Sequence, residues 1–443
     1  MLKPVTQTYQ PDVFLPDPAN APVYNRPTDV DLSDALAFTQ GQPFDFYKRL
    51  RDNAPVAWCP IPDLAGFWAL TKYEDVKRVE LDPETFSSQA GGILQSYGKE
   101  DTSRHEKLHS ASLNTLICLD RPNHIQLRMQ HRGFFTPAYI AELQKKVAVK
   151  VDSLLDDMEA KGPVVDMVET FSSQLPLFTL CEMLGIEEKD RAKIVRWMHY
   201  LEVVGYVLAE RASGGKVNPI FIAKLLWNVR QMFAFGRKLM ADRRKNPRDD
   251  LISAIAKAEV EGEPLSDEFL DGSWLLIIFA GNDTTRNTLS GTMRLLTQFP
   301  DEKQKLIDNP DLMPNMVHEA IRMVSPVMYM RRTLTKDVEM SGQKVAAGEK
   351  VVMYYGAANR DPDIFENPDQ FQVERANANK HIAFGLGPHV CLGQRIAMMQ
   401  LDTAYRKILE RFPNMRWTGK QTMAPNNFVH AISHLEVDLG TGK

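Results

Sequence analysis

The stretch Phe384-Gly-Leu-Gly-Pro-His-Val-Cys-Leu-Gly393 places one thiol in a glycine-rich loop, immediately ahead of a helical pattern that runs from Leu392 to Phe412. Glycines allow backbone turns closed to other residues and let a chain lie close against a flat object. A cysteine at such a helix start meets unpaired N–H groups and the positive end of the helix dipole, and both favour thiolate. Taken alone, Cys391 could equally be a small buried hydrophobe, but its glycine spacing predicts a functional thiolate. Gly385-x-Gly387 also opens a dinucleotide fingerprint, yet Val390 stands where the third glycine is required and no parallel-strand run precedes the loop. That reading is rejected.

The chain around this loop has 443 residues, 44% of them hydrophobic and 25% charged, with 53 basic against 57 acidic side chains and a net charge of −4. Such a composition excludes a disordered chain and offers no global attraction to nucleic acid or anionic membrane. The other cysteines, Cys59, Cys118 and Cys181, lie far apart and form no CxxC pair. Neither a zinc ribbon nor a disulfide scaffold is suggested, and a reducing compartment is the simplest expectation. The N-terminal MLKPVTQTYQPDVFLPDPANAPVYNRP is polar and Pro-rich, with no apolar run of signal or anchor length. A cytoplasmic, soluble protein without a membrane anchor is expected.

Residues 1–30 read as an extended arm and residues 31–443 as one domain. Length alone suggests roughly three domains, but no repeat, low-complexity tract or linker divides the chain. Helical patterns dominate: Ala138–Lys161, Glu187–Ala209, Pro219–Asn246, Ser266–Phe299, Asp311–Met323 and Leu392–Phe412. Strand signals are few, at Gly66–Thr71 and between Met328 and Val352. The expected fold is mostly α with a minor β portion.

Three further features carry chemistry. Ala280-Gly-Asn-Asp-Thr-Thr285 sits inside the long pattern Ser266–Phe299, which would span about 50 Å as one helix. Gly281 and Asn282 weaken that helix, while Asp283 and Thr284 bring a carboxylate and a hydroxyl to its apolar middle, a costly arrangement unless satisfied or used. A kink with Thr284 bonded back to the helix is the bland alternative. Glu319 and Arg322 share a helix face at i,i+3, ordinarily a plain salt bridge. His124 and Arg128, after Asp120-Arg-Pro-Asn, share a face at i,i+4 and can hold an anion or form a solvated basic face.

With these features in this order, the sequence resembles the cytochrome P-450 superfamily of haem-thiolate monooxygenases from about Phe44 to Val437, and bacterial soluble members in particular. The motif Phe-x-x-Gly-x-x-x-Cys-x-Gly is matched at Phe384, Gly387, Cys391 and Gly393. The resemblance implies a single-domain cytochrome P-450 fold with haem b between a long central helix and the cysteine loop, and Cys391 as the axial ligand of the haem iron. It implies haem contacts at Phe384, Gly385, His389 and Gly393 on the loop side and at Ala280 and Gly281 on the helix. His124, Arg128, His389 and Arg332 would meet the propionates. His124 departs from the tryptophan that many members carry. Glu319, Arg322 and Arg375 become a structural set behind the haem, and Asp283 with Thr284 the proton-delivering pair for O2. The thiolate's electron push is named for this enzyme class in general treatments of haem ligation.

The implied activity is hydroxylation of a C–H bond in a hydrophobic small molecule, terpenoid or steroid first, then an alkyl or fatty chain. The expected pocket lining is Ile93, Leu94, Ile277, Ile278, Ala280, Val327, Met328, Met330, Phe428 and Val429, nearly all apolar. The chain carries no flavin or iron-sulfur module after the last family element, so electrons are expected from a separate ferredoxin and ferredoxin reductase, ultimately from NAD(P)H. Arg128, Arg132, Lys380 and Arg395 would form the docking face, and a monomer is expected. The alternatives are a peroxide-driven hydroxylase, which would not need Asp283 and Thr284, and a non-enzymatic haem sensor or electron carrier.

Overall fold

The computed structural model describes residues 5–8, 31–61, 64–94, 113–198, 200 and 218–441. Within them the helices are α1 (Phe44–Asn53), α2 (Tyr73–Leu81), α3 (Asn123–His131), α4 (Pro137–Lys161), α5 (Gln174–Leu184), α6 (188–198), α7 (Pro219–Lys245) and α8 (Leu251–Ala256). They continue with α9 (Asp267–Ala280), α10 (Asp283–Gln298), α11 (Pro300–Asp308), α12 (Met313–Val324), α13 (Tyr355–Ala358) and α14 (Gln394–Arg411). Local chemistry sets several of the ends. Thr136, Asn218 and Ser266 cap α4, α7 and α9 by accepting a hydrogen bond from a first-turn N–H, and Pro opens α4 and α7. The expected helix Glu187–Ala209 is seen to residue 198, with 201–209 outside the described residues.

The expected single helix Ser266–Phe299 is two helices. Gly281 (ψ −14°) and Asn282 (φ −114°, ψ −60°) keep right-handed backbone angles but depart from ideal helix values between α9 and α10, as the weak helix formers at those positions favour. α10 is the buried axis of the molecule. It crosses α12 at Gly291, where a Cβ would fall 2.7 Å from Val324 Cγ2. α9 meets α7 in the same way: the Trp274 ring covers Gly236, and its Nε1 donates to the Met232 carbonyl at 3.0 Å. Two buried threonines along α10 are satisfied by their own helix, Thr288 on the Thr284 carbonyl at 2.8 Å and Thr292 on the Thr288 carbonyl at 2.7 Å.

The strands are β1 (Val5–Thr8), β2 (Val56–Ile61), β3 (Leu64–Leu70), β4 (Phe86–Ser87), β5 (Val164–Asp166), β6 (Glu259–Val260), β7 (Glu263–Pro264), β8 (Tyr329–Leu334), β9 (Val338–Met340), β10 (Gln343–Val345), β11 (Lys350–Tyr354), β12 (Arg416–Met423) and β13 (Ile432–Asp438). One sheet has the order β2-β3-β11-β8-β4 and another β1-β12-β13-β5. Apart from β1, whose Val5 lies opposite Met423, the expected arm over residues 1–30 falls outside the described residues.

The main apolar cluster joins α4, α5, α9, α10, α12 and α14. Two smaller clusters cover the two faces of the β2-β3-β11-β8-β4 sheet, Val351 facing one and Val352 the other, the period of two of a strand. This sheet positions Arg332, which lies opposite Val351 in the β8–β11 register. Among the described residues no helix is long and apolar enough to cross a membrane.

Candidate active site

The cysteine loop is pressed against the last turn of α2. Gly385 and Gly387 have φ of +68° and +63°, and a Cβ on Gly387 would lie 2.7 Å from the Glu80 carbonyl oxygen. The Cys391 N–H donates to the Phe384 carbonyl at 2.8 Å and closes the loop. Cys59, Cys118 and Cys181 are buried, whereas Cys391 is exposed. The residue keeps accessible surface while protein surrounds its sulfur. Burial therefore pushes it up, against the N–H groups of Gly393 and Gln394 and the Arg128 guanidinium, which pull it down. The N–H groups at the helix start lower the thiol in the expected direction, burial is the larger, opposing influence, and a bound cation would favour the thiolate further.

Beside this loop α3 carries His124 and Arg128. The His124 and His389 rings lie against each other at a tilt of 38°, with centroids 4.1 Å apart. Burial, then the neighbouring Arg128, lowers His124 to about 4; burial, then Arg332 and His124, lowers His389 to about 2. Arg128 turns inward, its Nη2 donating to the Val390 carbonyl at 2.6 Å, so it does not belong to the expected docking face with the exposed Arg132, Lys380 and Arg395. Arg332 reaches the same cluster from β8 but is held by Glu80, Nη2 to Oε2 at 3.2 Å, a partner the sequence reading missed.

The opposite side is the break between α9 and α10. Ala280 and Gly281 are exposed there, next to the buried Ile278, Asn282 and Asp283. Leu276, Ala280 and Thr284 follow one another at i,i+4, so the accessible stripe runs through them. Thr284 Oγ1 donates to the Ala280 carbonyl at 3.1 Å. The Asp283 carboxylate is turned to Asn282 Nδ2 (3.1 Å) and to the Arg286 guanidinium (3.6 Å). The structure thus brings acid and alcohol onto adjacent residues, with the acid turned to Asn282 and Arg286 and the alcohol to the Ala280 carbonyl. Asn287 locks the region, Nδ2 on the Asp283 carbonyl at 2.8 Å and Oδ1 accepting from the Ile432 N–H at 2.7 Å.

Of the expected pocket residues, Ile278 and Met328 have no accessible surface and Val429 has 2%. They are packed into cores or bridged, and do not face open space. Ile277 is partly buried against the main cluster. Val327 bridges Val429, and Met330 is partly exposed. The backbones of Ile93 and Leu94 are fixed beside β8 by Arg331, whose N donates to Ile93 O at 2.9 Å and whose Nη1 donates to Leu94 O at 3.2 Å. Phe428 lies near-parallel to Phe279 with centroids 6.2 Å apart and edge-on to Tyr329. Phe279 and Leu276 were hidden in the sequence because Trp274 to Ala280 is apolar all round, and only the i,i+4 stripe ending at Thr284 points to them.

Behind the loop, Glu319 is the hub of a fully buried network. Arg322 forks onto it at 2.7 and 2.8 Å, and Arg375 Nε reaches it at 2.9 Å. The two guanidiniums spend their remaining donors on loop carbonyls of Asn359, Pro368, Glu366 and Gln370.

The residues present fit a flat, iron-bearing dianion. Cys391 keeps accessible surface, the small Ala280 and Gly281 are exposed at the helix break, and Arg128 and Arg332 converge where the buried His124 Nδ1 has no hydrogen-bond partner. Among the described residues no other group of three His, Cys, Asp or Glu side chains is arranged to hold a metal. These features define a haem-thiolate protein. The chain belongs to the cytochrome P450 family, whose profile matches residues 130–430. It is 32% identical to linalool 8-monooxygenase of Pseudomonas putida over 92% of this chain and 98% of that protein. It is 33% identical to the methyl-branched lipid omega-hydroxylase of Mycobacterium tuberculosis over 88% of this chain and 90% of that one. Cytochrome P450 CYP268A2 of Mycobacterium marinum, solved in complex with pseudoionone, superposes with a TM-score of 0.82 at 32% identity, covering 94% of this chain and 100% of that one. The protein is a cytochrome P450 monooxygenase, with haem as cofactor and O2 as co-substrate.

Proposed function

We propose that this monooxygenase hydroxylates a C–H bond of a hydrophobic small molecule, terpenoid or steroid before alkyl or fatty chain, with electrons from a separate ferredoxin system. The observation that carries the reading is the exposed Cys391 together with the exposed Ala280 and the half-buried Leu276 and Thr284 that flank it. Residues 31–443 act as the catalytic unit. The relatives named for linalool and for methyl-branched lipids support a mostly hydrocarbon substrate, as do the aromatic rings of Phe279, Phe428 and Tyr329.

Bound haem supplies the iron at which O2 is reduced, one oxygen atom going to the substrate and the other to water. When haem is bound, Cys391 Sγ would hold its iron, steadied by the N–H groups of Gly393 and Gln394. Arg128, Arg332, His124 and His389 orient the propionates. Thr284 Oγ1 holds a proton on the oxygen side of the site, and Asp283 resupplies it once its carboxylate swings from Arg286 toward the hydroxyl. Exposed Arg132, Lys380 and Arg395 supply a basic docking surface for an acidic electron carrier.

The test is product formation from linalool, testosterone and dodecanoic acid, each supplied with reduced ferredoxin and O2, or with hydrogen peroxide alone. Product that needs both donor and O2, with linalool or testosterone favoured, is the expected result. Equal turnover with peroxide alone would favour the peroxide-driven alternative. Turnover of none would favour a haem sensor or carrier.

A further inference from the structure

Glu80 sits on the last turn of α2 with its side chain 1% exposed. Its Oε2 lies 3.2 Å from Arg332 Nη2, and its Oε1 accepts a short hydrogen bond from the Tyr355 hydroxyl. Arg332 Nη1 donates to the Arg331 carbonyl at 2.8 Å. Glu80 is also the floor of the cysteine loop: a Cβ on Gly385 would stand 3.2 Å from Oε1, and one on Gly387 still closer to its carbonyl oxygen. One carboxylate thus joins α2, β8, α13 and the loop that carries Cys391.

Packing alone does not call for a charge at this place. A neutral amide fills the same volume, its oxygen accepting from Arg332 and its NH2 donating to the Tyr355 hydroxyl, whereas a buried carboxylate is expensive unless it is well paired. The charge matters because Arg332, paired with the Glu80 carboxylate that stands under Gly385 and Gly387 of the cysteine loop, is read as a propionate partner together with His124, Arg128 and His389. Adding an electron to a bound haem makes it more negative. A fixed cation nearby favours that step and a fixed anion opposes it, with little screening in a buried site.

We propose that Glu80 is a positioning residue that fixes the Arg332 guanidinium and, by cancelling part of its charge, holds down the reduction potential of the bound haem. The inference rests on the reading of Arg332 as a propionate partner. Glu80 thereby regulates how readily the enzyme accepts its first electron, without touching substrate or iron.

The experiment is a spectroelectrochemical titration of the haem-loaded wild type, Glu80→Gln, Arg332→Gln and the double variant, with the reduced carbon monoxide spectrum recorded to show that thiolate ligation is kept. Glu80→Gln should shift the potential positive, Arg332→Gln should shift it negative, and the double variant should return toward wild type as the two charge changes cancel. Glu80→Gln leaves Arg332 without its counter-charge. If that variant does not retain haem, adding Glu80→Gln to Arg332→Gln reads the same effect in a neutral, hydrogen-bonded pair, and the shift must again be positive. A negative shift with Arg332→Gln but none on removing the Glu80 charge in either background would overturn the role of Glu80 and leave Arg332 as a propionate partner. No shift with Arg332→Gln would remove Arg332 from the haem, and the role of Glu80 with it.

Discussion

The Arg322 guanidinium and the Asn359 carbonyl are 2.8 Å apart, and this contact links the helix network to the cysteine loop. Asn359 passes the link on: its side-chain Oδ1 accepts from the Ile382 N–H at 2.8 Å, and the Ile382 carbonyl accepts from Gly385 at 2.9 Å. Six residues further on stands Cys391. The network around Glu319 therefore acts on the site through backbone that it holds in place.

Glu319→Gln should accordingly be severe. Arg322 and Arg375 would keep their charges with no carboxylate in reach, and breaking such a buried set costs about 3–5 kcal/mol. Chemical denaturation together with haem content checks this. A loss well under 1 kcal/mol with full haem content would mean that the loop carbonyls alone anchor the two arginines.

The same region confers a pH dependence. Burial, then the nearby His318 and Arg322, lowers His381 to about 3. Its Nδ1 accepts from the Ala383 N–H, and its Nε2 contacts His318 Nδ1 at 3.3 Å. The unfolded imidazole takes its proton near the usual 6.5, so between about 6.5 and about 3 the unfolded chain binds more protons than the native one. Stability is then present above the unfolded value and is lost as pH falls. His381→Gln should flatten the slope of unfolding free energy against pH in this window by up to about 1.4 kcal/mol per pH unit. An unchanged slope in urea titrations would place the acid sensitivity elsewhere.

Phe279→Ala should remove one wall of the pocket where it stacks on Phe428. Binding titrations that follow displacement of the sixth-ligand water should show weaker binding of linalool and stronger binding of testosterone. Weaker binding of both ligands by the same factor would mean that the ring supports the fold and does not limit substrate size.

Thr284→Ala should still bind substrate and accept electrons, because neither step uses the hydroxyl. More reduced oxygen should leave as peroxide, and less product should form per electron pair. Asp283→Asn should instead slow turnover as a whole. The stoichiometry of donor consumed, peroxide released and product formed decides. An unchanged ratio in Thr284→Ala would mean that the bond to the Ala280 carbonyl is that hydroxyl's whole role.

The sequence made the helical architecture legible, because long 3.6-residue patterns survive in α4, α7, α12 and α14. It also marked where the long central pattern weakens, at Gly281 and Asn282, though not that the helix divides in two there. Which face of an all-apolar run looks into the cleft cannot be read from periodicity, and so Ile278 was expected in the pocket in place of Leu276 and Phe279. Glu80 was invisible for another reason: a glutamate near a helix end reads as solvated surface until the distant Arg332 and Tyr355 are folded onto it. The state of the Cys391 thiol depends on how much protein surrounds it, a quantity set by the whole fold and not by the loop.

The most direct measurement is the reduced carbon monoxide spectrum of Cys391→Ser beside wild type and beside Cys59→Ala, Cys118→Ala and Cys181→Ala, taken with hydroxylation rates. The thiolate signature and hydroxylation should vanish in Cys391→Ser and persist in the other three, whose thiols are buried. A Cys391→Ser protein that keeps the wild-type spectrum and rate would contradict the assignment of this thiol as the iron ligand.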